Sequence, residues 1–306
     1  MSDPASPGAE RRASLGPWMA FAGAASIWGS TFLVISFGND ALAPVWAGTV
    51  RLALASVGLG LWARLARHPM PRGAALQATV LYGVFAFGFN FPLLYWGEKT
   101  VPSGLTAVVY ATTPLSSALL ARFLGMEQLT RAKLAGALVA LAGVATLFSG
   151  SFTGAVAPAG LVSVFLAATC GASGATLLKR GGRQSAIAAN AIACAIGAPI
   201  ALAASFALRE SHALPLTFAA IGPLIYLTVA GSMGAFVLFS WLVQRWPVSR
   251  SAYVSVVIPM IALSLGALLR HERLTLAMLG GSALVIAGLV IGMRGSPAGP
   301  PAARRS

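Results

Sequence analysis

The chain has little charge and almost no acid. Of 306 residues only 7 are Asp or Glu, and charged residues of both signs make up 9%. Soluble domains carry roughly 25%, so a soluble globular fold is excluded. The acids Asp3, Glu10, Asp40, Glu98, Glu127, Glu210 and Glu272 all fall in tails or loops between long apolar runs, which leaves no mid-membrane carboxylate for proton coupling or cation binding. Two cysteines, Cys170 and Cys194, in apolar stretches, give no disulfide framework. The three histidines, His68, His212 and His271, lie in loops, and neither a His-Glu-x-x-His motif nor a Cys/His cluster occurs. An enzyme is therefore not expected, nor is a metal or cofactor.

What is abundant is apolar: 57% of the residues are hydrophobic and mean hydropathy is +0.81. A bilayer core needs about 20 helical residues to cross it. Ten runs of about that length are bounded by charge, Pro or Gly: Pro17 to Ser36, Pro44 to Ala63, Ala74 to Trp96, Ser103 to Ala121, Ala132 to Phe148, Pro158 to Leu178, Ala186 to Leu208, Phe218 to Val243, Val248 to Leu269 and Leu276 to Met293. The expected fold is an all-α polytopic membrane protein with membrane lipid around it. Residues 1–16 and 294–306 read as polar, disordered tails.

The net charge of +14 would suggest nucleic acid in a soluble chain, but here basic residues punctuate apolar runs, so nucleic acid is not an expected partner. With a cytoplasmic N-terminus, sixteen Lys and Arg fall in inner segments and four in outer loops, with Arg51 inside the second run. That asymmetry predicts both termini inside, and for a bacterial chain the cytoplasmic (inner) membrane.

The sequence also repeats itself at one offset of 145 residues, pairing Pro102 with Pro247, Pro114 with Pro259, Glu127 with Glu272, Thr130 with Thr275, Gly136 with Gly281 and Gly143 with Gly288. From Pro102 to Gly143, 14 of 42 positions are identical, against about 4 by chance. Upstream, Gly29 pairs with Gly174, Thr31 with Thr176 and Phe91 with Phe236. Each copy, 17–149 and 158–293, holds five runs, and five is odd, so the repeats are expected to be inverted, the architecture of secondary transporters.

Trp28-Gly29-Ser30-Thr31-Phe32, Thr113-Pro114, Glu127-x-Leu129-Thr130, Gly136 and Gly143, with their repeat partners, resemble the EamA-type branch of the drug/metabolite transporter superfamily. The resemblance covers about residues 17 to 293. It implies a ten-helix inverted-repeat carrier of small metabolites, commonly an amino-acid exporter working by alternating access. It also implies a central cavity formed mostly by helices 1, 3, 4, 6, 8 and 9. A monomer or loose dimer is expected. An organic-cation exporter of the same superfamily is the main alternative; a membrane-embedded enzyme is a remoter one.

On a 3.6-residue period Tyr82, Phe85, Phe89 and Trp96 share one face of the third run, with Asn90 adjoining it. With Trp28, Tyr110, Thr113, Cys170, Ser173, Met233 and Phe236 they form the expected substrate-binding set, an uncharged amphipathic cavity for a small-molecule substrate. Pro114 and Pro259, each near the middle of a run, are expected hinges, because proline removes a helical hydrogen bond. Glu127, Glu272, Thr130 and Thr275 are expected to order loops and cap helices, and the glycines seven apart to bring the fifth and tenth runs close together. Arg51 is expected to snorkel to the interface or to a carbonyl cluster, with direct contact to the substrate as the lesser alternative.

Overall fold

A computed structural model describes residues 7–38, 41–101, 103–149, 157–270 and 275–294. All regular structure among them is helical, as a bilayer demands, because backbone groups without water must bond within their own segment. In the first half lie α1 (Pro7–Gly38), α2 (Pro44–Leu65), α3 (Ala74–Tyr82), α4 (Asn90–Glu98), α5 (Ser103–Tyr110), α6 (Thr113–Phe123) and α7 (Arg131–Leu147). The second half holds α8 (Pro158–Arg180), α9 (Ala186–Ala207), α10 (Phe218–Tyr226), α11 (Phe236–Val243), α12 (Val248–Ser251), α13 (Val254–Arg270) and α14 (Leu276–Arg294). Stretches of π-helix at Gly83–Phe89 and Leu227–Ala235 join α3 to α4 and α10 to α11 into continuous rods. These two stretches stand at the 145-residue offset of the sequence repeat, to within a residue at each end.

Among the described residues, six helical rods are long and apolar enough to cross a membrane, and shorter apolar helices accompany them. Their apolar surface faces outward: Val57, Leu65, Phe123, Phe218 and Leu276 are each at least 70% exposed, which suits lipid and not water. The expected runs match the helices to within a few residues, with one large exception. Helix α1 begins at Pro7 and carries Pro17 inside it, so much of the expected N-terminal tail is helical. Asp3, Asp40, His271, Glu272 and residues 295–306 lie outside the described residues.

The two prolines sit differently. Between α5 and α6 the helix breaks at Ala111 and Thr112, directly before Pro114, and the Thr113 hydroxyl donates to the Tyr110 carbonyl that the proline leaves without its helical donor. Pro259 lies inside α13, whose break from α12 comes earlier, at Ala252 and Tyr253. The helix is therefore interrupted at different places relative to the proline in the two copies.

Glycines set the closest helix contact. Helices α7 and α14 cross with Gly136 against Gly288 and Gly292, and Gly143 against Gly281 and Val285. A methyl on Gly136 would come within 2.4 Å of the Gly292 Cα, and one on Gly288 within 2.4 Å of the Ala140 nitrogen. The expected approach of the fifth and tenth runs is thus present at backbone distance. Thr130 and Thr275 cap these two helices as expected, accepting from the backbone N–H of Lys133 and of Met278, each at 3.2 Å.

Two acids tie the halves to each other. Gly125, in the left-handed region at φ 69°, ends α6, with Met126 N–H bonding Ala121 O and Gly125 N–H bonding Arg122 O. This turn delivers Glu127 to the start of α12, where its carboxylate accepts from the backbone N–H groups of Val248 and Ser249 and from the Ser249 hydroxyl. Lys133 Nζ pairs with the same carboxylate at 2.8 Å, both side chains being buried. In the other direction Glu210 accepts from the N–H groups of Val45 and Trp46, at the start of α2, at 3.3 and 2.9 Å. Each carboxylate meets the positive end of a helix belonging to the other half.

Candidate functional site

A cavity of about 330 Å³ lies between two apolar clusters, one built on α1, α7, α13 and α14 and the other on α2, the α3–α4 rod and α9. Trp28 and Thr31 reach it from α1, Tyr110, Thr113 and Ser117 from α5 and α6, and Phe236 and Phe239 from α11. Helix α8 contributes Ala168, Gly171, Ala172 and Ala175, small side chains that leave the volume open. Counted as the runs of the sequence, the first, third, fourth, sixth, eighth and ninth supply lining residues, and α2 adds Arg51.

Of the sequence-derived set, Trp28, Tyr82, Asn90, Tyr110, Thr113 and Phe236 line this cavity. Asn90 Nδ2 donates to Tyr110 Oη at 3.0 Å and to the Ala167 carbonyl at 2.6 Å, tying α4, α5 and α8 at the cavity wall. Trp28 Nε1 donates to the Gly231 carbonyl at 3.3 Å, and its ring meets Phe236 and Phe239 at 5.8 and 5.2 Å between centres.

Phe85, Phe89, Cys170, Ser173 and Met233 do not line it, and each has a physical reason. Phe85 and Phe89 pair edge-on at 6.0 Å, and Phe89 is 44% exposed, because the π-helical turns hold more residues than α turns and rotate the side chains after them. The face toward the cavity is therefore Tyr82, Phe87, Phe91 and Tyr95, spaced five, four and four. Trp96, expected on that face, is 38% exposed. Cys170 flanks the lining residue Gly171, the Ser173 hydroxyl bonds its own helix at Thr169 O, and Met233 packs on Gly58 of α2. Gly83 and Gly88 let α9 approach this stretch: a methyl there would stand 2.7 Å from the Ala193 carbonyl and from Ile200 Cδ1 respectively.

The expected uncharged cavity is corrected by two residues. Arg51 lines it at 5% exposure instead of snorkelling outward, with Nε donating to Ser232 Oγ at 2.6 Å and the guanidinium 5.7 Å from the ring centres of both Phe91 and Phe236. Glu98, expected in a loop, is the last residue of α4 and lines the same cavity. Ser117 adds a buried hydroxyl without a hydrogen-bond partner among the described residues. The site thus offers stacking faces, a donor cluster, one cation and one carboxylate. No group of three or more His, Cys, Asp or Glu able to hold a metal occurs among the described residues.

Residues 15–149 and 158–293 each match the EamA-like transporter family. YedA of Escherichia coli, named an uncharacterized inner membrane transporter, is 28% identical over 253 residues, 81% of this chain and 81% of its own length. A Salmonella typhimurium protein named a probable amino-acid metabolite efflux pump is 26% identical over 279 residues, 88% of this chain and 92% of its own. The fold superposes on a solved crystal structure with a TM-score of 0.78 over 92% of this chain and 97% of that one, at 20% identity. Matched by the family along both halves, the chain belongs to the EamA-like transporters.

Proposed function

We propose that the protein is a secondary transporter that exports small amino-acid-like metabolites across the bacterial cytoplasmic membrane by alternating access. The observation that carries this reading is the aromatic and polar cavity between the two helical clusters, roomy enough at about 330 Å³ for a small metabolite. The amino-acid class is supported by the Salmonella relative's name. Ten crossings in two inverted repeats, with both termini cytoplasmic, account for the charge asymmetry and for the π-helical stretches at equivalent positions. In that orientation the cytoplasmic end is tied by Glu127 at α12 and by Lys179, whose Nζ donates to the carbonyls of Val243 and Trp246. Glu210 at the start of α2 ties the outer end in the same way, so alternating access would release one set of bonds while the other holds.

The test is flux in reconstituted vesicles, with labelled amino acids set against organic cations and sugars. Trp28→Ala or Tyr110→Ala should reduce amino-acid flux at least about tenfold at unchanged folded yield, since aromatic contacts and a wall hydrogen bond are lost. Phe89→Ala, on the outward face, should leave flux within about twofold. Equal effects at all three positions, or flux of cations alone, would overturn the amino-acid reading. Glu98 and the aromatic faces suit an organic cation, whereas Arg51 beside them disfavours one.

The proposed driving force is the solute gradient, because Glu98 stands at a helix end and no acid lies at mid-span in α2 to α14 among the described residues. A pH gradient imposed without a solute gradient should produce no uphill accumulation of a neutral zwitterion. Accumulation that disappears in Glu98→Gln would instead assign proton coupling to that carboxylate.

A further inference from the structure

Arg51 is buried within α2, and burying a cation in an apolar surround is costly unless an anion pairs with it. The ion pairs among the described residues join Lys99 to Glu210 and Lys133 to Glu127, and neither involves Arg51. Its immediate neighbours are neutral: Ser232 at Nε, the faces of Phe91 and Phe236, and the Tyr95 hydroxyl; Glu98 lines the same cavity but makes no ion pair with Arg51 among the described residues. These contacts fix the plane of the guanidinium and soften its burial, but they leave its charge unmatched. Gly231 belongs to the same arrangement, since a methyl there would stand 2.9 Å from Nη2.

The cavity is where a matching charge can arrive. Arg51 lines it together with Tyr95, and both also line a small adjoining pocket of about 30 Å³. With Nε held by Ser232 and the Tyr95 hydroxyl bonded to the guanidinium, the remaining Nη donors face the cavity side that Tyr95 also lines and suit a carboxylate. The residue 145 positions on is Ile196, so the duplication supplies no second cation and the site has one positive pole.

We propose that Arg51 receives the carboxylate of the transported solute, which makes that solute a small organic acid or amino acid. The assignment rests on the transporter reading and deepens it. A solute bearing a carboxylate supplies the counter-charge that the fold withholds, so binding relieves the burial of Arg51 as well as placing the solute. A solute that is only cationic would bring a second positive charge to the same place, and is rejected.

The experiment compares acids with their amides on the intact protein, by flux in reconstituted vesicles and by ligand-induced change in unfolding temperature in detergent. The probes are L-leucine against L-leucinamide, L-phenylalanine against L-phenylalaninamide, and 4-methylpentanoate, which keeps the carboxylate without the amine. At least one acid should be transported and should bind roughly 10- to 100-fold better than its amide, the range expected for a hydrogen bond to a charged group. Arg51→Gln should bring that ratio to within about twofold, and Arg51→Lys, which keeps the charge without the fork, should fall between. The wild-type comparison needs no variant, so a misfolded Arg51→Gln does not rescue the proposal. An amide as good as its acid overturns the carboxylate assignment, as does a folded Arg51→Gln that keeps the preference. If cations or sugars move and no acid does, the assignment falls while transport stands. If no compound in any panel moves or binds, both fall.

Discussion

Glu127→Ala should destabilise the protein by about 3–5 kcal/mol, the cost of removing one partner from a buried ion pair. Lys133 would keep only the Gln128 carbonyl, at 3.0 Å, to share its charge, while its side chain stays 5% exposed. The start of α12 would lose an acceptor serving two backbone N–H groups and one hydroxyl. Unfolding in detergent, followed by circular dichroism, should show the shift. Glu127→Gln should retain part of the cap and fall less far. Adding Lys133→Met to Glu127→Ala should recover stability, because deleting both charges leaves no unmatched cation. A Glu127→Ala protein as stable as wild type would mean that the bonds to α12 contribute nothing measurable.

Gly136→Ala should also be strongly damaging, at or above the top of the roughly 1–3 kcal/mol range for overpacking. The atoms in the way are the Gly292 nitrogen and Cα and the Gly288 carbonyl, at 2.3 to 2.7 Å from the added methyl, and backbone cannot rotate aside as a side chain does. Helix α14 would have to retreat from α7 along the contact that carries both halves of the glycine pattern. Gly60→Ala and Gly280→Ala are the controls, since a methyl at either meets nothing within 4 Å and alanine favours helix by roughly 0.5–1 kcal/mol. Folded yield after gel filtration and unfolding temperature should fall for Gly136→Ala and hold or rise for the controls. A Gly136→Ala protein that matches them would show that the two helices can separate at no cost.

Much of the fold is legible in the sequence because hydrophobic length, turn residues and small-residue spacing act locally. The helix positions, the caps at Thr130 and Thr275 and the glycine contact of α7 with α14 are of this kind. Trp28, Tyr82, Asn90, Tyr110, Thr113 and Phe236 were found at the cavity from aromatic and polar spacing combined with the family resemblance. Phe87, Phe91 and Tyr95 were missed because a 3.6-residue period does not hold across π-helix. Glu98 was missed because α4 runs two residues past Trp96. Arg51 could be located within its run but not oriented, since its direction depends on Ser232, 181 residues away in sequence. The bond from Glu127 to Val248 spans 121 residues, and no local pattern announces it.

The π-helical stretches make backbone count, more than side-chain identity, decide which residues look inward. Each π turn closes over about one residue more than an α turn, and one residue turns a helix by about 100°. A homologue lacking the surplus residue between Tyr82 and Asn90 would present a different face of α4 from an almost unchanged string of letters. Its sequence should be aligned with a gap inside the helix there, and comparing aromatic positions column by column without that gap would match the cavity-lining rings of one chain with the outward-facing rings of the other.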